Sequence, residues 1–587
     1  MSKRPDYQCK PKLRLQKPIS LQFPNNHPSS PLQPYEFHDP SSEELKRSQN
    51  LVYDPLTATN IPTGPKFSGD FECGNLGQVF LLGPREYEIH MLPDPNENKT
   101  MQWFFFKVEG LDPGQYNFTI VGFYRSCNLH WKGSKPVVYS ENAANKNGIG
   151  WQRFGENMNY FKFKTGKFSE WALQFTFTIT ERDTLYFAHA YPYTYTDLNN
   201  FLNSKTSFPF FSEDPSLYKI STLCKTVGGI PVPAIFWDAD KQKCLDISTL
   251  YDHKKVVHEP PKIRVESVTE FSEALLEILR SWRDTGKPQL PSGKIYNTKP
   301  VCIICARTHP GETNSSYAME GFLTILFGNS SLGKTLRTNF SWLLIPMINP
   351  DGVICGFYRP SLSGFDVNRV WVSPDENLSP VAYNTLSLLD SLQKTRPLIF
   401  FLDFHGHTAA CNSFVYGFMN EENNDLFSAE RVFPLLMTKY SPLFSNEMCS
   451  FLKQKQYEGT MRVVVRRRFL VLFAYTLEMS YGGCDFGPRR NTQFTPTDYR
   501  SIGDATAHAI CDLLLNPSSL AAKEAMMLLP PPEEKEKEEF DVNAHISIQG
   551  QTRESKPSFF SFNPNDFSSE KPDQVNLVLN QMVRENK

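Results

Sequence analysis

The stretch CIICARTHPGETNSSYAMEG, residues 302–321, joins an apolar run to a Pro-Gly turn that carries His309 and Glu312, three residues apart. The run reads as a buried strand, and SSYAMEGFLTIL beyond the turn reads as a helix. A strand that ends in a rigid turn aims two side chains at one point. Similar runs recur downstream: FSWLLIPMIN, PLIFFLDFHG and FLVLFAYTLEMS. Helical patterns lie around them, VTEFSEALLEILRSWRD before the quoted stretch and DYRSIGDATAHAICDLLL at the end. Strands alternating with helices imply an α/β fold with a mixed central sheet flanked by helices.

Outward from this segment the texture changes. Between Phe67 and Tyr195 the chain breaks into short alternating runs, among them QVFLLG, QWFFFKVEGL, QYNFTIVGF and WALQFTFTIT. Aromatic and β-branched residues punctuated by Gly, Asn and Pro imply an antiparallel β-sandwich. The expected organisation is a disordered arm over residues 1–65, a sandwich over 66–215, an α/β catalytic domain over 216–517 and a disordered tail over 518–587. Pro, Ser and charge dominate both ends.

The 587 residues are 40% hydrophobic, enough for a large core, and carry a formal charge of −2. That balance argues against a nucleic-acid partner bound through bulk charge. Twelve cysteines are too few for a disulfide scaffold of this length. No apolar run approaches a membrane span, and MSKRPDYQCKPKLRLQKP has no signal-peptide core. The expectation is a cytoplasmic protein with no membrane partner. The sequons at Asn117 and Asn339 carry no weight in that setting.

Histidines are scarce, yet His405 and His407 follow PLIFFLD as His309 follows CIICA. In α/β folds ligands gather beyond the carboxyl ends of the strands. Two imidazoles and one carboxylate suit zinc, with a fourth position left for water. GFYRPSLSGFDVNRVW, residues 356–371, adds Arg359, Asn368 and Arg369, and guanidinium forks grip carboxylates. Glu478, near the end of FAYTLEMS, is placed to take a proton from water and pass it to a departing amine. Each residue alone has a plainer reading: a solvated turn, a surface ion pair, a buried carboxylate paired with an arginine.

The order HxxE, NPDG, YRxSLSGxDxNRxW, DxHGH, TLEMS resembles the cytosolic carboxypeptidases, the tubulin-deglutamylating zinc metallocarboxypeptidases. Upstream, GNLGQVFLLGPREYEIHMLPD, GWQRFGENMNYFK and LCKTVGGIPV are similar to that family's N-terminal sandwich and its junction. The resemblance implies zinc, one ion per chain, on His309, Glu312 and His405, with His407 either supporting a ligand or structural. It implies Glu478 as general base and acid, and Arg359 as the oxyanion's partner. Asn368 and Arg369 would hold the substrate's terminal carboxylate, and Arg462 its acidic side chain. The implied substrates are polyglutamate tails of tubulin on microtubules, with cilia or centrioles as possible sites, and other acidic-tailed proteins.

The chain departs from the family at Phe357 and Pro360, and at Arg466, Arg467 and Arg468, where VVRRRFL replaces VVWRELG. Those arginines are expected either to attract an acidic chain or to lie in an exposed loop. Two other functions compete. A carboxypeptidase fold can serve as an inactive binding module for acidic tails. GNSSLGKT, residues 328–335, fits the P-loop pattern, but a helix rather than a strand is expected before it. Cys302 and Cys305 read as packing residues of a strand, not as a redox pair.

Overall fold

The computed structural model describes residues 50–515 apart from 57–58, 61–63, 97–99, 166–167, 205, 252–276, 278–279, 282–295, 419–423 and 452–456. Most of the expected arm, the whole tail and nearly all of the helix read over 268–284 lie outside these residues.

Phenylalanine-rich alternation between Leu51 and Ala188 builds two stacked sheets. One runs Glu156–Thr165, Phe168–Ile179, Gly114–Phe123, Glu86–His90, Val79–Gly83, Leu51–Asp54, Thr59–Asn60. The other runs Lys66–Ser68, Phe105–Leu111, Asp183–Ala188, Val137–Ser140, Gln152–Arg153. Pairing is antiparallel except between Glu86–His90 and Gly114–Phe123, which run parallel. Phe67, Phe104, Phe106, Phe118, Phe175, Phe177 and Phe187 fill the space between the sheets. Two of these strands, Leu51–Asp54 and Thr59–Asn60, fall within the stretch read as a disordered arm. They are too short to show a period, and only pairing reveals them, Leu51–Asp54 with Val79–Gly83 and Thr59–Asn60 with Leu51–Asp54.

The second half is the expected mixed sheet. Its order is Ser221–Lys225, Pro231–Asp238, Ser341–Ile345, Val301–Ala306, Leu398–His407, Phe473–Ser480, Ser413–Tyr416, with Lys243–Leu245 beside Pro231–Asp238. The central strands Ser341–Ile345, Val301–Ala306, Leu398–His407 and Phe473–Ser480 are mutually parallel; the flanking ones are antiparallel. Burial on both faces explains their unbroken apolar sequences. Strand alternation sends Cys302, Ile304 and Ala306 to one face, and Val301, Ile303 and Cys305 to the other. The two cysteines therefore cannot form a CxxC pair and pack as expected.

Helices Thr313–Leu326, Asn424–Tyr440 and Pro496–Leu515 cover the first face; Pro380–Gln393 and Met461–Phe469 cover the second. Thr313–Leu326 is buried almost throughout because Pro496–Leu515 crosses it closely. A Cβ on Gly321 would stand 2.0 Å from the Arg500 carbonyl, and one on Gly503 2.0 Å from that of Ala318. The apolar cluster on this face continues into the sandwich through Trp103, Phe105, Trp151 and Tyr186. Among the described residues no helix is long and apolar enough to cross a membrane.

Candidate metal centre and substrate cleft

The Val301–Ala306 strand ends at Arg307, which adopts φ 58°, a costly conformation for any residue with a Cβ. The fold holds it there. Arg307 is 1% exposed, its Nε donates to the Pro310 carbonyl at 2.7 Å, and its Nη1 donates to Ser316 Oγ at 2.9 Å. The guanidinium thus clamps the turn that carries His309 and Glu312. Gly311 is required there, since a Cβ would come 2.6 Å from the Tyr358 ring. Helix Thr313–Leu326 starts directly after Glu312.

One strand over, alternation in Leu398–His407 puts Asp403 and His405 on the same face. His309, Glu312 and His405 converge, with ligand atoms all within 4.8 Å of one another, and they are the group among the described residues able to hold a metal ion. His309 Nδ1 is 2.7 Å from Glu312 Oε1, and His405 Nδ1 is 2.9 Å from Glu312 Oε2. The two Nδ1 atoms are 3.2 Å apart. Each far nitrogen meets a carboxylate: His309 Nε2 lies 3.1 Å from Asp366 Oδ1, and His405 Nε2 lies 2.7 Å from Asp403 Oδ2. Carboxylates so placed fix imidazole orientation and strengthen the nitrogen that faces a metal. Thr308 Oγ1 donates to Asp403 at 3.0 Å.

Burial favours neutral groups here, and the charges overrule it. Burial would raise the Glu312 carboxyl, but His309 and His405 hold it well below the usual carboxylate range. Burial would lower His405, but Asp403 and Glu312 keep it well above the usual imidazole range. A site that concentrates this much negative charge around two imidazoles suits a dication, and the donor set fits zinc.

Glu478 pairs in register with His405 across the parallel strands. Side chains so paired share one face of the sheet, so the carboxylate stands beside the cluster. Its Oε2 is buried without a hydrogen-bond partner. Burial raises it to about 7, against the pull of the nearby imidazoles.

Arg359 turns inward. Its Nε donates to Asp366 Oδ2 at 2.8 Å, and its terminal nitrogen lies 2.7 Å from the same oxygen. Asp366 thereby ties the guanidinium to His309. Asn368 Nδ2 lies 3.3 Å from His405 Nε2, and its Oδ1 accepts from the Met461 N–H at 3.0 Å. Arg369 is exposed, over the Tyr457 ring at 5.6 Å. Arg462 is not on a strand. It opens helix Met461–Phe469, is 6% exposed and donates to the Gly417 carbonyl. Its Nε has no hydrogen-bond partner, and burial lowers the guanidinium to about 10. Gly417 directly follows strand Ser413–Tyr416, which pairs with the strand that carries Glu478, Phe414 opposite Glu478.

Several expectations change. Arg466, Arg467 and Arg468 lie neither in a loop nor free to attract substrate: they belong to helix Met461–Phe469. Arg466 is fully buried against Glu430, Arg467 pairs with Glu458 at 3.5 Å, and Arg468 pairs with Asp390. His407 is structural, its Nδ1 accepting from the Ala410 N–H at 2.9 Å. Lys334 does sit near a helix start, in Ser331–Asn339, yet the P-loop reading fails. The preceding element is the helix Thr313–Leu326, Ser330 Oγ takes the Gly333 N–H, and Arg337 fills the turn by donating to the Gly328 carbonyl at 2.9 Å.

Sequence reasoning overlooked Arg307 and Asp366, and weighed Asp403 only as the strand-end acid of a nucleotide enzyme, not as the partner of His405. Asp403 was findable from its i,i+2 spacing to His405. Asp366 carries the signal of a capping residue, accepting from the Asn368 N–H at 2.8 Å. Arg307 gives no sequence signal.

Comparison with known proteins agrees with this geometry. Residues 274–499 match the zinc carboxypeptidase family, and residues 67–189 match the cytosolic carboxypeptidase N-terminal domain. Cytosolic carboxypeptidase 2 of Macaca fascicularis is 35% identical over 458 residues, spanning 77% of this chain and 47% of that protein. Cytosolic carboxypeptidase 3 of Bos taurus is 34% identical over 456 residues, spanning 77% and 40%. The chain thus spans about half the length of the curated relatives it matches. Among solved structures, a metallo-carboxypeptidase from Burkholderia cenocepacia has a TM-score of 0.54 at 18% identity, covering 77% of this chain and 99% of its own. A metallo-carboxypeptidase from Pseudomonas aeruginosa, in complex with (2-guanidinoethylmercapto)succinic acid, reaches 0.55 at 19%, covering 76% and 99%. These likenesses concern the fold. Both halves matching in order, with the ligand cluster assembled within the second, the chain belongs to the cytosolic carboxypeptidase family of zinc carboxypeptidases.

Proposed function

We propose that this chain is a zinc-dependent metallocarboxypeptidase that removes C-terminal glutamates. Its substrates would be polyglutamate chains on cytosolic tubulin and other acidic-tailed proteins. The observation that carries the reading is the convergence of His309, Glu312 and His405 within 4.8 Å, with Glu478 in register beside His405. Those three residues would hold one zinc ion, which supplies a Lewis acid and a water of lowered pKa when bound.

The chain's own groups account for the rest. Glu478, in register beside His405 with its Oε2 unpartnered, accepts a proton from the attacking water and returns it to the leaving amine. Arg359 neutralises the charge that develops on the scissile carbonyl oxygen. Asn368 and Arg369 bind the free carboxylate, which limits cleavage to the last residue. Arg462 supports the acidic preference, because a buried guanidinium with an unpartnered Nε favours a carboxylate in the cleft.

The test is glutamate release from a peptide ending in several glutamates. Wild type, a chelated sample, the same sample after zinc return and Glu478→Gln are run together. Release by wild type and by the zinc-restored sample only is expected. A folded, zinc-loaded wild type that releases nothing from this peptide, while cutting one with another last residue, would reject the glutamate reading. Release by Glu478→Gln at the wild-type rate would reject the assigned base.

A further inference from the structure

The segment that carries Arg359 is held from outside the α/β half, by the sandwich. Residues Gly356–Pro360 belong to no strand or helix; the Gly356 and Phe357 N–H groups close back on the Val353 and Gly352 carbonyls, and those of Tyr358 and Arg359 need partners from elsewhere. Asp94, at the end of the stretch that follows strand Glu86–His90, supplies them. One oxygen, Oδ1, accepts the Tyr358 N–H at 2.8 Å; the other, Oδ2, accepts the Arg359 N–H at 3.0 Å. The carboxylate is 4% exposed, and Thr100 Oγ1 donates to Oδ2 at 2.7 Å.

Neighbouring contacts lock the same junction. Asn75 Nδ2 donates to the Gly356 carbonyl at 3.2 Å while its Oδ1 accepts the Leu92 N–H at 2.8 Å. The Cys73 N–H donates to the Ile354 carbonyl at 3.1 Å. Gly356 has φ 72°, and a Cβ there would strike the Gly74 carbonyl at 2.3 Å.

We propose that Asp94 is a positioning residue of the active site: by forking onto two consecutive N–H groups it fixes the root of Arg359, as Asp366 fixes its guanidinium. A buried carboxylate is costly unless its acceptor capacity is filled. Here two of its three donors are the backbone of the oxyanion-stabilising residue and its neighbour. The sandwich is thereby a structural part of the catalytic apparatus. This rests on the carboxypeptidase reading for its chemical consequence, and not for its geometry.

Asp94→Asn keeps the size but sets an amide NH2 against one of the N–H donors, so the fork opens. Arg359 acts on charge formed in the transition state, so kcat falls while KM holds. With zinc content and thermal midpoint retained, kcat is expected to drop at least about tenfold in the Arg359 chain. In an Arg359→Ala background the same change should alter the residual rate, measured with enzyme in excess, by less than about twofold. An equal loss in both backgrounds, or no loss in either, overturns the proposal. Should Asp94→Asn not fold, Thr100→Val removes only the third donor and is read by the same cycle. Amide hydrogen exchange over residues 354–362 is independent of activity. If wild type released no glutamate, the proposed function would fall, and faster exchange in Asp94→Asn would still uphold the brace. Unchanged exchange would overturn it.

Discussion

Replacing Asp403 by Asn isolates what a carboxylate behind a metal ligand contributes. Asp403 is 1% exposed, and its Oδ2 lies 2.7 Å from His405 Nε2, the nitrogen that faces away from the cluster. Asparagine fills the same volume and can still accept from Thr308. It loses the full negative charge that polarises the imidazole. Removing such partners weakens metal affinity about 10- to 100-fold, equivalent to roughly 1.4–2.7 kcal/mol. The Asp366–His309 contact at 3.1 Å is longer and Asp366 is shared with Arg359, so Asp366→Asn should cost less zinc affinity and more kcat. The assay is competition for zinc against a chromophoric chelator at pH 7.5, with glutamate release measured in parallel at saturating zinc. Unchanged zinc affinity in Asp403→Asn, in a protein of wild-type thermal midpoint, would refute the orienting role and reduce Asp403 to a packing residue.

Three further outcomes follow from particular contacts. Glu430→Ala leaves Arg466 buried without its carboxylate and should destabilise the protein by about 3–5 kcal/mol, read by denaturant unfolding; Arg466→Met in that background should recover much of it. Burial raises Asp94 from 3.8 to about 6, so the folded state binds its proton more readily than the unfolded chain. Stability should therefore fall as pH rises from about 4 to 6, by up to roughly 3 kcal/mol through this group, and Asp94→Asn should flatten that slope. For the reaction, Glu478 must be ionised to accept a proton, and burial holds it at about 7, from which a bound dication would lower it. The kcat/KM profile should therefore show an acid limb at or below about pH 7, falling tenfold per unit; the same limb persisting in the residual rate of Glu478→Gln would remove Glu478 as its source.

The sequence by itself determined the layout and the chemistry at hand. Runs such as Val301–Ala306 and Phe473–Ser480 announce buried parallel strands because burial on both faces demands unbroken apolar residues. The spacing of His309 to Glu312, and the positions of His405 and Glu478 at strand ends, were legible because α/β folds collect ligands at those ends. Tertiary structure decided the rest. Whether His309 and His405 meet depends on strand order, which no local pattern encodes. Arg462 and Arg466 look like surface charges until the fold buries them, one by the Gly417 carbonyl and one by Glu430. Arg307 acquires its role only from the turn it clamps. Asp94 and Arg359 lie 265 residues apart in sequence, and only the packing of the sandwich on the α/β half brings a carboxylate to that N–H. Such contacts are invisible in sequence because a hydrogen-bond partner is chosen by three-dimensional proximity, while sequence periodicity records only which face of an element is buried.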